Sequence, residues 1–140
     1  HDTFFKYLNN YNKVSHINKS NSDSLFEKSM AFDKIIIGLH KTDDSPFADY
    51  KFSADEISFI DKIKSKTNLT IVVFAKPYSM LDLDVRGIES ILISYQNSKV
   101  FQTKAAQALF GAINVKGVLP VSINKDIPVN TSIILKKKDF

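Results

Sequence analysis

Residues 69–75 read LTIVVFA, an uncharged run of seven in which only Thr70 is polar. A surface helix would break such a run with polar residues at every third or fourth position. A half-buried strand would alternate polar with apolar. What remains is a strand covered on both faces, and such strands belong to parallel sheets with helices over each side. Two further runs, KIIIGL (34–39) and IESILISY (88–95), have the same consecutive isoleucine-rich character and are read as strands of the same sheet.

Helical patterns fall between them. In FSADEISFIDKIKSK (52–66) Ser53 is an N-cap, Glu56 stands three residues later, and Phe52 with Ile57 forms a hydrophobic staple,. Ile57, Ile60 and Ile63 then make one apolar stripe. The segment SKVFQTKAAQALF (98–110) places Phe101, Ala105, Ala108 and Leu109 on one face and stops at Gly111,. A helix over 23–32 should turn Leu25, Phe26 and Met30 inward. Another over 3–10 should feed a short strand at 13–17. The stretch 77–87 is too short for a full crossover helix and suits a turn or two. Helix–strand alternation predicts a single α/β domain over 1–140. Its fold should be a three-layer, flavodoxin-like sandwich, with a mostly parallel sheet and helices on both faces.

Composition narrows the function classes. The chain lacks cysteine, which excludes disulfides, thiol catalysis and cysteine-based metal sites,. Its formal charge of +4 sits in scattered lysines and an LKKKDF tail. Its phenylalanines mostly lie inside apolar runs rather than between basic residues, so a nucleic-acid partner is not expected. No apolar run approaches the roughly 20 residues that span a bilayer. The opening residues HDTFFKYLNN have no basic start followed by an apolar core, as a signal peptide would,.

The stretch LHKTDDSPFADY (39–50) is the place to look for chemistry, because open α/β sheets bind ligands at the carboxyl ends of their strands. It carries His40, Asp43, Asp44 and Asp49. Histidine near aspartate could act as a general base or hold a metal. Equally, Asp43, Asp44 and Ser45-Pro46 could only shape turns, with His40 an ordinary strand-end residue. The four glycines are dispersed, so neither a dinucleotide fingerprint nor a P-loop can be assembled, and no G-x-S-x-G elbow is present. No cofactor or metal is expected.

Two stretches carry a resemblance: TIVVFAKPYSML (70–81) and ILISYQNSKVFQTKAAQALFGAINVKGVLPVSI (91–123). Their order and wording resemble the C-terminal α/β sandwich domain of glycoside hydrolase family 3. The matching positions are Pro77, Tyr78, Tyr95, Gln96, Leu109 to Gly111, Asn114, Gly117, Leu119 and Pro120. The Tyr-Gln strand end is closest to the β-N-acetylglucosaminidase branch. In this likeness Gly111 stops a helix, Gly117 permits a reversal, and Leu119-Pro120 opens a further strand. Departures are Lys76 in place of asparagine, Val115 and Lys116 in place of Pro-Ser, and Val118 in place of an arginine.

The resemblance implies a division of labour. Retaining glycoside hydrolysis needs a carboxylate nucleophile and an acid/base group flanking the bond. In the family the nucleophile is an aspartate of a preceding barrel domain, so the domain itself would hold no catalytic residue. The glucosidase branch draws a glutamate acid/base from the sandwich, but loop 40–52 has none. The acetylglucosaminidase branch places a histidine–aspartate pair on the barrel, which the missing glutamate favours. The chain is thus expected to be a non-catalytic accessory domain that packs against its barrel. The parent would act on β-linked amino sugars in a bacterial periplasm or outside the cell. The family's first strand would lie before His1, leaving an edge able to pair with another copy. The competing expectation is a stand-alone module that binds a ligand or protein through loop 40–52.

Overall fold

The computed structural model of the chain describes residues 2–17, 22–42, 45, 47 and 49–139. Three strands, β1 (Lys34–His40), β2 (Asn68–Phe74) and β3 (Ser90–Ile93), form a parallel sheet in the order β1-β2-β3. Because side chains alternate along each strand, the register sorts them into two stripes. Ile35, Ile37 and Leu39 align with Leu69, Ile71 and Val73, and the last two align with Ile91 and Ile93. All of these join one core. Ile36, Val72, Phe74 and Leu92 point to the other. Every residue of β2 after Asn68 is buried. The runs at 34–39 and 88–95, expected to be covered on both faces, are mostly half-buried, with only Leu39 and Ser94 fully covered. Each pairs on one edge only among the described residues, and the sheet tapers in cover toward its sides.

The helices complete three layers. Helix α3 (Ala54–Ile63) covers the first face and buries Ile60 and Ile63. Its capping box is formed as the sequence requires, with Ser53 Oγ accepting from Glu56 N and the Glu56 carboxylate accepting from Ser53 N. Helices α1 (Asp2–Leu8) and α4 (Lys99–Leu109) cover the second face. Here the predicted stripe of α4 is rotated: Gln102, Ala105 and Ala106 are the buried residues, with Phe101 and Ala108 only half-buried. Two alanines let α4 approach Val72 and Phe74, and Gln102 accepts from Phe4 N at 3.0 Å. That bond satisfies one of the amide donors left over in the first turn of α1.

Helix α2 (Ser22–Ser29) ends before residue 32, leaving Met30 37% exposed, while Ser29 is the buried residue and bonds back to Leu25 O. It is tied to α3 by Lys62, whose ammonium lies 4.2 Å from the Phe26 ring centroid,. Between β2 and β3 a 3-10 turn (Pro77–Met80) buries Met80, with Leu83 just beyond. Among the described residues no helix is long and apolar enough to cross a membrane.

Two expected strands do not form. At 13–17 the amides of Lys13 and Val14 are taken by Asn12 and Asn9 side chains, and His16 stacks on Phe5. Residues 119–123 also stay outside the sheet. They belong to an irregular antiparallel ribbon over 111–139, in which Val115 pairs with Leu135, Leu119 with Thr131, and Ile123 with Ile127. The ribbon turns at Asn124, whose carboxamide accepts from Asp126 and Ile127 amides. Leu119 and Ile123 reach back into the first core.

The ribbon starts from a Schellman ending of α4. Ala112 N bonds Gln107 O and Gly111 N bonds Ala108 O, with Gly111 at φ +71°,. Gly117, expected to permit the reversal, has no left-handed backbone and open space where a Cβ would stand. The two glycines should therefore respond oppositely. Gly111→Ala meets a left-handed backbone and the Lys138 side chain and should destabilise by about 1–2 kcal/mol. Gly117→Ala should be neutral or stabilise by up to about 1 kcal/mol, because it narrows the unfolded ensemble. Urea unfolding of the two variants measures both.

Candidate functional site

Because the sheet is parallel, its three strands end on one side, at His40, Phe74 and Ile93. Pairing continues a residue past the strands, through Lys41 N to Phe74 O and Ser94 N to Val73 O. The chain then has only Tyr95, Gln96 and Asn97 with which to turn into α4, whose N-cap is Ser98.

That short connection has a marked backbone. Gln96 N bonds Ser94 O at 2.6 Å, enclosing Tyr95 at φ +60°. This is a γ-turn with a left-handed centre, a rare and strained conformation for a residue with a Cβ. The half-buried Tyr95 lines a concavity with Lys41, Ser45, Tyr50, Ala75 and Lys76. The concavity measures about 10 Å³, room for about one water molecule. Among the described residues its lining includes no carboxylate.

Asn97 anchors the far end of the turn. Phe4 N–H can only donate, so it fixes Gln102 Oε1 as an acceptor, and Gln102 Nε2 then donates to Asn97 Oδ1 at 2.9 Å,. Asn97 Oδ1 also lies 2.7 Å from His40 Nδ1, which must therefore be the protonated nitrogen of the ring. The imidazole stacks on Phe74 at 4.5 Å between centroids, and Phe74 meets Phe4 edge-on at 5.0 Å. Helix α1 is joined to the end of β1 by this polar path and by the stacked rings.

The sequence-predicted residues separate as follows. His40 is at the strand end, engaged with Asn97. Asp49 is exposed and accepts from Lys51 N at 3.0 Å. Asp43 and Asp44 lie outside the described residues. Among the described residues no three His, Asp or Glu side chains gather as metal ligands would. Glu56 Oε2 accepts from both Ser53 N and Lys41 Nζ. Burial works against its ionisation, but these bonds outweigh that effect and hold its pKa below the usual carboxylate value.

Several residues of the sequence likeness serve the backbone. Pro77 occupies the first turn of the 3-10 segment, and Asn114 Oδ1 accepts from Lys137 N at 2.7 Å. Leu119 is a core residue, while Tyr78, Gln96 and Pro120 are exposed. Asn97 and Gln102 were missed by sequence reasoning. The one available signal was Gln102, a polar residue at a helix position shared with Ala105, Ala106 and Leu109. No known family model and no curated protein matches this chain.

Burial lowers the pKa of His40 and the Asn97 bond opposes this in part, leaving a net depression. The unfolded chain then takes up the proton first as pH falls. The His40 contribution to stability should be complete above about pH 6.5 and decline below it as the folded-state pKa is approached. Urea midpoints between pH 7.5 and 5 should fall, and His40→Phe should remove that part of the slope.

Proposed function

We propose that the chain is a non-catalytic accessory domain of a family 3 glycoside hydrolase, whose parent acts on β-linked amino sugars. The sequence likeness over 70–123 suggests the family. The observation that carries the accessory role is the apolar surface of the 111–139 ribbon. Val118, Val129, Ile133, Ile134 and Leu135 are all exposed, Ile133 at 77%. Large aliphatic side chains gathered on one segment favour a packed contact, as between domains of one protein. The position of Val118, where the likeness has an arginine, makes that contact more apolar here.

The strand-end chemistry is in keeping with this role. Glu56, the carboxylate nearest loop 40–52 in sequence, is committed to the cap of α3 and to Lys41. A stand-alone module would need a cavity at the same end, and the concavity there has room for about one water,.

Purified 1–140 should not release the chromophore from an aryl β-N-acetylglucosaminide, whereas the full reading frame that contains it should. In the full protein, Ile133→Lys combined with Leu135→Lys should lower the melting temperature of the catalytic portion while leaving isolated 1–140 folded. Turnover by 1–140 that is lost in His40→Phe would overturn the proposal. So would saturable thermal stabilisation of 1–140 by a sugar or nucleotide, which would favour the binding module.

A further inference from the structure

The groove between α1 and α4 has a composition that folding does not account for. The two helices cover the second core together and leave between them a cleft of about 460 Å³. Small-molecule sites occupy about 300–1,000 Å³. Lys6 lines the cleft from α1, Lys99 and Lys104 line it from α4, and all three are exposed. None of them forms an ion pair with a described residue. The sequences of α1 and α4 together hold three lysines and one carboxylate, Asp2, so the pair is net cationic by composition.

Lys99 is the most informative of the three. It opens α4, at the helix end where the macrodipole favours a carboxylate and disfavours a cation. Helix α3 follows that rule with Asp55 and Glu56 in its first turn, whereas α4 has no acidic residue there. Beside Lys99, Val100 is 66% exposed and adds little to either core. Neither residue serves the fold, yet both line the same groove. The excess of positive charge extends beyond it. Residues 1–17 and 90–140, which supply α1, α4 and the ribbon, hold nine lysines and three aspartates, while 18–89 hold ten basic and twelve acidic residues. Such an asymmetric field draws anions toward one part of the surface.

The side chains narrow the anion. Lysine is a compact point charge, and the groove has no arginine fork of the kind that grips planar carboxylates through two bonds,. A phosphate ester concentrates a charge of about −1.5 to −2 on one tetrahedral group, so three ammonium groups match about two of them. Thr3 and Tyr7 put hydroxyls on the same lining, and Val100 offers an aliphatic surface to the carbon part of the molecule. A cleft recessed between two helices suits a small ligand better than a membrane surface or a nucleic-acid strand.

We propose that the α1–α4 groove binds a small organic anion bearing about two phosphate esters, held by Lys6, Lys99 and Lys104. This goes beyond the accessory role and does not rest on it.

The probe is 2,3-bisphosphoglycerate, titrated into 1–140 with calorimetry and amide chemical shifts as readouts. Binding should saturate, shift the amides of 3–7 and 99–104, and weaken as salt rises from about 50 to about 300 mM. Lys99→Gln should weaken it about tenfold while leaving the melting temperature equal or higher, because a cation is removed from the positive end of the helix. A lysine with a structural role would lower the melting temperature instead. Lys6→Gln combined with Lys104→Gln should weaken binding further than Lys99→Gln alone, and Lys116→Gln, in the ribbon, should leave it unchanged. The inference is overturned by absence of saturation at about 10 mM probe, by an equal loss in Lys116→Gln, or by shifts confined to residues outside the two helices. Tighter binding to phosphatidylglycerol vesicles or duplex RNA than to the probe would also overturn it, assigning the face to a membrane surface or a nucleic acid. All of these outcomes leave the accessory reading standing, since its failure is read from turnover by 1–140.

Discussion

Everything else in the fold depends on β2 being dry on both sides. Six consecutive buried residues cannot be satisfied by one helix, because alternate side chains leave in opposite directions. Leu69, Ile71 and Val73 need one layer of cover and Val72 and Phe74 another. The chain supplies α3 for the first and the α1–α4 pair for the second. The alanines of α4 and the polar reach of Gln102 follow from this, since the second layer must sit close and must also hold the short helix α1. Even the strand-end network begins here, with Phe74 as the plate between His40 and Phe4.

Much of this was legible in the sequence because it is local. Consecutive apolar residues identify a strand whatever its partner, and Ser53-x-x-Glu56 writes the start of α3 in four residues. The failures share a different cause. Residues 13–17 and 119–123 have acceptable strand composition, but a strand exists only where a neighbour offers free amides and carbonyls. In the first case Asn9 and Asn12 took the amides. In the second the chain paired with its own tail. The rotated face of α4 has a similar origin, because the partner that draws Gln102 inward is an amide 98 residues away.

The candidate site was legible only in its location. The rule that ligands meet strand carboxyl ends led to 39–50, and the groups of interest do gather at that end of the sheet. Their identities were not readable. Asn97, 57 positions along the chain, is a partner of His40 that no local motif announces, and the strain at Tyr95 has no signature in residue type. A tyrosine at positive φ is what composition argues against. An amide can fix the imidazole tautomer as a carboxylate would, but it contributes no charge. Through Asn97 and Gln102, His40 is linked to the Phe4 amide of α1.

The ribbon has a consequence for how the protein is made. Leu119 and Ile123 belong to the same core as Leu69, Ile71 and Val73, yet they are synthesised after every strand of the sheet. Until they leave the ribosome, the α3 side of the sheet lacks part of its seal, and the nascent chain carries a finished set of strands with an unfinished cover. Folding of this unit is therefore tied to synthesis beyond residue 123. A premature stop anywhere in 111–123 would yield an open, adhesive sheet rather than a slightly smaller domain.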